Sequence, residues 1–119
     1  MVARKYKWYK IDDPVQLSMT GNKIHILEVN KRKISMALWN GTPYAFTYKC
    51  PHAGGILADG CIDALGNVVC PLHRYKYNIK NGYNVSGEGY YMTVYPLESR
   101  EDGIYIGFEE PSIWDVFRR

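Results

Sequence analysis

Two short segments of the sequence carry side chains able to do chemistry together, Cys50-Pro51-His52-Ala53-Gly54-Gly55 and Cys70-Pro71-Leu72-His73-Arg74-Tyr75. Each supplies one thiol and one imidazole, as Cys-x-His and Cys-x-x-His, with 17 residues between His52 and Cys70. Thiolate and neutral imidazole are ligands for zinc and for iron. Four such residues, divided evenly between two segments, read as two halves of one metal site and not as four separately buried side chains. A structural zinc ion accepts two Cys and two His, usually from a Cys-x₂₋₄-Cys knuckle and a distant His pair. Here each segment mixes the ligand types, which suits two adjacent metal ions better than one tetrahedral ion. A zinc-stabilised interaction module without redox activity stays as the alternative.

The rest of the chain has to position these residues. With 119 residues, 46% of them hydrophobic, it can close one core without disulfides, and a single domain over residues 1–119 is expected. Three cysteines cannot form a complete disulfide framework. Cys61, outside both segments, is expected as a free thiol packed in the loop between them. The net charge of +3 is mild and spread along the chain, which argues against a dedicated nucleic-acid binder. No apolar run follows the basic start Met1–Lys7, and none approaches the ~20 residues that span a bilayer. A soluble, cytoplasmic protein is expected, with no membrane contact.

Periodicity indicates strands almost throughout. Ile34, Met36 and Leu38 alternate with Ser35, Ala37 and Trp39, and Ile104, Ile106 and Phe108 alternate with Tyr105 and Gly107. Turn chemistry falls between the runs, at Asn40-Gly41, Gly66-Asn67, Asn81-Gly82 and Glu101-Asp102-Gly103. The pattern predicts strands near 6–10, 24–29, 33–39, 44–48, 68–70, 75–79, 83–85, 90–95 and 104–108, with a long functional loop over 50–67 and a second loop over 86–89. Such spacing belongs to an all-β fold, a small antiparallel sandwich or barrel. In the tail 109–119, Trp114 and Phe117 are spaced to dock as one helical turn. His25 lies in a predicted strand with no second ligand nearby and is read as structural or solvated.

The two segments, with Pro after the second Cys and Gly-Gly shortly after the first His, resemble the Rieske iron–sulfur family. The likeness extends over about residues 44–106, through the Gly66-Asn67 turn and the Tyr75-x-Tyr77-x-Ile79-x-x-Gly82 stretch. It implies a small β domain with a cluster-binding subdomain of two loops, here about 48–78, holding one 2Fe-2S cluster. Cys50 and Cys70 would bind one iron as thiolates, and His52 and His73 the other as imidazoles. The formal charges of such a cluster with its thiolates sum to zero, against −2 for an all-Cys site, so an electron is accepted at a higher potential. Tyr75 resembles the bulky aromatic of soluble Rieske ferredoxins, and Tyr77 is expected to donate a hydrogen bond to the Cys50 sulfur. Gly54, Gly55 and the amides after each ligand are expected to turn N–H groups toward sulfide. Arg74 stands where the family usually has Gly, so the left-handed backbone that Gly takes freely is not expected there.

The resemblance therefore implies a one-electron carrier between protein partners. One version is a ferredoxin that passes electrons from a flavoprotein reductase to a terminal oxygenase. The other is the small subunit of a nitrite reductase-like complex. Lys49, Arg74 and Lys76 flank the two segments and would dock an acidic partner.

Overall fold

The computed structural model describes residues 5–12, 23–51, 54–72, 74–87 and 91–110. Three antiparallel sheets organise them. β1 (Tyr6–Lys10), β10 (Gly103–Glu109) and β9 (Leu97–Arg100) form one sheet in the order β1-β10-β9. β2 (His25–Val29), β3 (Arg32–Trp39), β4 (Thr42–Thr47) and β8 (Val94–Tyr95) form a second, in the order β2-β3-β4-β8. The third is β5 (Cys61–Ile62), β6 (Asn67–Val69) and β7 (Lys76–Asn78). No helix among the described residues is long and apolar enough to cross a membrane.

The second sheet is the middle layer, because both of its faces are buried. On one face Leu27, Val29, Ile34, Met36 and Ala45 pack with Ile106 and Phe108 of β10. On the other, Ala37 and Phe46 pack with Leu57, Ile62, Val68 and Tyr77, the floor of the third sheet. The registers agree with this division. Ala45 is opposite Met36 on one face and Phe46 is opposite Ser35 on the other. Two-residue turns join its hairpins, Asn30-Lys31 at φ 50° and 64° and Asn40-Gly41 at φ 53° and 78°. Positive φ at both central residues gives these turns the twist that antiparallel strands need.

The all-β architecture is as expected, and β1 has the predicted bounds. Several elements differ. The loop 50–67 contains the 3-10 turn Leu57–Asp59 and the short strand β5. Residues 83–85 make only an isolated bridge, Tyr77 to Asn84. There the side chains take the backbone donors. Asn84 Oδ1 accepts the Ser86 amide at 2.8 Å and Ser86 Oγ accepts the Lys76 amide at 3.0 Å. The predicted strand 90–95 contracts to Val94–Tyr95, with residue 90 outside the described residues. β9 was not expected; it is an edge strand with a charged, largely exposed sequence. The tail from Pro111 onward, with Trp114 and Phe117, lies outside the described residues.

The third sheet is small, so its first turn is held by a side chain. Asp63 accepts the amides of Leu65 and Asn67 at 2.9 Å each, the Asn67 side-chain amide at 3.2 Å, and pairs with Lys76 Nζ at 3.5 Å. Burial pushes its carboxyl up. The hydrogen bonds from Asn67 and Leu65, with the Lys76 charge, outweigh this and hold it below the ordinary carboxylate value. A depressed folded-state pKa contributes stability that is full above the unfolded value of about 3.9 and is lost as the pH falls through the folded value. Asp63→Ala is expected to cost about 2 kcal/mol near neutral pH and to flatten the acid limb of the stability curve. Denaturant titrations from neutral pH down through the carboxylate range measure both, and an acid limb as steep as wild type would remove Asp63 from this role.

Candidate metal centre

Cys50 and Cys70 each begin the tip of a hairpin, and the two tips are built alike. Lys49 bridges Ile56, as Val69 pairs with Lys76, so each tip spans the same number of residues. In the first, the Cys50 amide donates to the Gly55 carbonyl at 2.7 Å; in the second, the Cys70 amide donates to the Tyr75 carbonyl at 2.8 Å. The fourth residue after each cysteine takes the left-handed conformation that the closure requires, Gly54 at φ 70° and Arg74 at φ 54°. The expectation that Arg74 would avoid positive φ is thus corrected, because the backbone closure dictates the conformation over the preference of the side chain.

The tips meet. Both cysteines are buried, and the two thiols share a hydrogen bond. A Cβ on Gly55 would lie 2.9 Å from the Leu72 side chain and 3.5 Å from Cys70 Sγ, so this position takes no side chain unless Leu72 moves. Beneath them the Tyr77 hydroxyl, fully buried, lies 3.3 Å from Cys50 Sγ. Tyr75 is half-buried and packs against the same core. The amides are arranged otherwise than expected at Gly54, whose N–H is taken by the Cys50 carbonyl at 2.9 Å. The Leu72 amide is the one that donates to Cys70. His52 and His73 lie outside the described residues.

The electrostatics follow from burial. Burial and the hydrogen bond with Cys50 push the Cys70 thiol up to about 11, with the Leu72 amide pulling the other way. Burial and then Cys50 likewise raise the Tyr77 phenol above its ordinary value. A thiol that burial and a neighbouring thiol hold protonated, as at Cys70, becomes a thiolate only when a metal cation replaces its proton. Hydroxyl and amide donors aimed at sulfur are what such thiolates then need.

The sequence matches the family profile of the Rieske [2Fe-2S] domain over residues 2–90. The chain belongs to the Rieske family. A human Rieske domain-containing protein is 30% identical over 73 residues, which make up 59% of this chain and 43% of that protein. The matched part thus spans less than half the length of that relative. This Rieske domain superposes on the ferredoxin of carbazole 1,9a-dioxygenase from Nocardioides aromaticivorans IC177 with a TM-score of 0.69, at 15% identity over 87% of this chain and 99% of that one. The ferredoxin of Sphingomonas yanoikuyae B1 gives 0.68, at 18% identity over 90% and 100%. A Mycobacterium tuberculosis protein named for the small subunit of an NADH-dependent nitrite reductase gives 0.70, at 13% identity over 92% and 100%. At these identities the likeness is one of fold.

Family membership implies a 2Fe-2S cluster, and the donor set fits one: two buried thiols side by side, a cradle at Gly55 with no Cβ, and donors directed at both sulfurs. Cys61 is separate from this set. Its thiol is free and exposed on β5, not packed in the loop as expected, because the residue points away from the buried Ile62 beside it. Native protein without metal is expected to alkylate rapidly at Cys61 alone. A Cys70 thiol titrating at about 11 is roughly 0.1% thiolate near pH 8. Cys61→Ser removes the fast phase of iodoacetamide labelling, whereas two or three fast thiols per chain would show that the paired tips are open.

Proposed function

We propose that this Rieske domain carries single electrons between protein partners through one 2Fe-2S cluster. Cys50 and Cys70 would hold one iron as thiolates, and His52 and His73 the other. The observation that carries the reading is the meeting of two equivalent hairpin tips with a buried thiol on each and a phenol beneath. When bound, the cluster supplies a one-electron couple of moderately high potential. The protein's part is to seat it between two rigid tips, to direct the Tyr77 hydroxyl and the Leu72 amide at sulfur, and to leave the outer face of the tips accessible. Leu72 and Arg74 are exposed there.

The partners we propose are a reductase as donor and, as acceptor, an oxygenase or a nitrite reductase, the two kinds of enzyme for which the similar structures are named. No substrate site of its own is needed for this task. The exposed free thiol of Cys61 favours a reducing, cytoplasmic setting. The domain is read as the whole of residues 1–119, with the cluster-binding part at about 48–78.

Purified protein is expected to contain about two irons and two acid-labile sulfides per chain and to show a visible spectrum that bleaches on reduction. Cys50→Ser, Cys70→Ser, His52→Ala and His73→Ala should each abolish it. A colourless protein with one zinc per chain would overturn the reading in favour of the zinc module.

The sign of the Tyr77 effect follows from its contact. A hydroxyl donating to the Cys50 sulfur withdraws charge from it and favours the more negative, reduced state. A hydrogen bond of ~1 kcal/mol corresponds to roughly 40 mV for a one-electron couple. Tyr77→Phe is therefore expected to lower the potential by about that amount in protein-film voltammetry, and an unchanged potential would take Tyr77 out of this role.

A further inference from the structure

Arg74 puts a long side chain at a left-handed position that the closure of its tip requires and that glycine fills in the other tip. Its φ of 54° is the conformation that Gly54 takes at the equivalent place in the other tip. Any residue with a Cβ is disfavoured there, and arginine has no short polar group to ease the strain. Asn30, Lys31 and Asn40 also have positive φ, but they are the centres of two-residue hairpin turns that demand it. The closure of the second tip needs the conformation but not the side chain, so the strain that arginine adds over glycine points to use of that side chain by something outside the chain.

The side chain supports this. Arg74 is exposed and makes no hydrogen bond, ion pair or ring contact with any described residue. The other two described arginines are both engaged: Arg32 lies over Phe108 at 4.3 Å, and Arg100 lies over Tyr105 at 4.1 Å and pairs with Glu98 at 2.9 Å. Lys76, expected from sequence to share a docking role, is instead paired with Asp63. Among the described residues, Lys49 on the first tip and Arg74 on the second are exposed cations without a partner. Only Arg74 is held there against its backbone preference, with the exposed Leu72 two residues before it in the same tip.

We infer that Arg74 is the contact through which an acidic partner docks at the cluster end, its guanidinium taking a surface carboxylate of that partner while Leu72 meets an apolar side chain beside it. A planar fork of donors suits a carboxylate, and a desolvated neighbour strengthens the pair. The inference rests on the electron-carrier reading above, and it makes two predictions of opposite sign for one substitution. Removing the side chain should help the fold and harm the encounter.

The test uses the full, cluster-loaded chain, reduced and then oxidised in a stopped-flow by ferricyanide, an anion standing in for the acidic partner. One electron leaves the protein and converts ferricyanide to ferrocyanide, with no proton involved. Arg74→Gly and Arg74→Gln are expected to slow this reaction about threefold or more at low ionic strength, with the difference vanishing at high salt. Tris(phenanthroline)cobalt(III), a cationic oxidant, should react no more slowly with either variant. Arg74→Lys should restore the ferricyanide rate, and Lys23→Gln, which removes one exposed charge just before the second sheet, should leave it within about twofold. In denaturant titrations of the same chains, Arg74→Gly should reduce the unfolding equilibrium constant by about threefold. A wild-type ferricyanide rate in Arg74→Gly with an intact visible spectrum would overturn the inference alone. So would a loss of stability in that variant, which would show that the side chain serves the fold. A wild-type protein with no reducible visible band would overturn the electron-carrier reading and this inference with it.

Discussion

The site depends on two backbone hydrogen bonds, Cys50 N–H to the Gly55 carbonyl and Cys70 N–H to the Tyr75 carbonyl. Each closes a tip of six residues and needs a left-handed residue one place before its end. Each also fixes the direction in which its cysteine leaves the backbone, so that the two sulfurs face one another. A single such bond contributes only about 1 kcal/mol net, yet leaving the amide of a buried residue unmade costs more. The closures are therefore held less by what they contribute than by what opening them would expose. They also need no particular side chain, which is why two segments that share little more than Cys-Pro take one shape.

Rigidity reaches the tips through the strands that lead into them. Lys49 and Cys50 follow β4 after one residue, and Cys70 directly follows β6. β4 is gripped on both faces, with Ala45 in one core and Phe46 in the other, so it cannot tilt without disturbing both. β6 is gripped through Val68 and, at the turn before it, through Asp63. A thiol placed at the end of a doubly buried strand keeps its position when a long connection elsewhere moves.

What was legible in the sequence was what depends on side-chain type. The strands β1 to β4 and β10 show in alternation and turn residues because each has at least one apolar face and is bounded by Asn-Gly or similar pairs. The cysteines, and Tyr77 beneath them, stood out for the same reason. β9 did not, since an edge strand reading Leu-Glu-Ser-Arg carries no buried face to create a period. β5 has only two residues, too few for any period. The segment 83–85 misled because its composition suits a strand, while the Asn84 and Ser86 side chains claim the donors a ladder would use. The likeness of the two tips was invisible for a deeper reason. It is a likeness of backbone hydrogen bonds, and the residues that occupy the equivalent places, Gly54 with Arg74 and Gly55 with Tyr75, have no chemistry in common.

The core beneath the tips shows the same economy from the side of the side chains. It is formed by Ile24, Ala37, Phe46, Leu57, Ile62, Val68, Ile79 and Met92, together with Cys50, Cys70 and Tyr77. Among these residues Tyr77 carries a hydroxyl, and it lies 3.3 Å from the Cys50 sulfur. A phenol buried without a partner loses its hydration for nothing, and phenylalanine would fill the same volume without that loss. The hydroxyl of Tyr77 is therefore accounted for by the sulfur it meets and not by packing. That contact lies where the two tips converge.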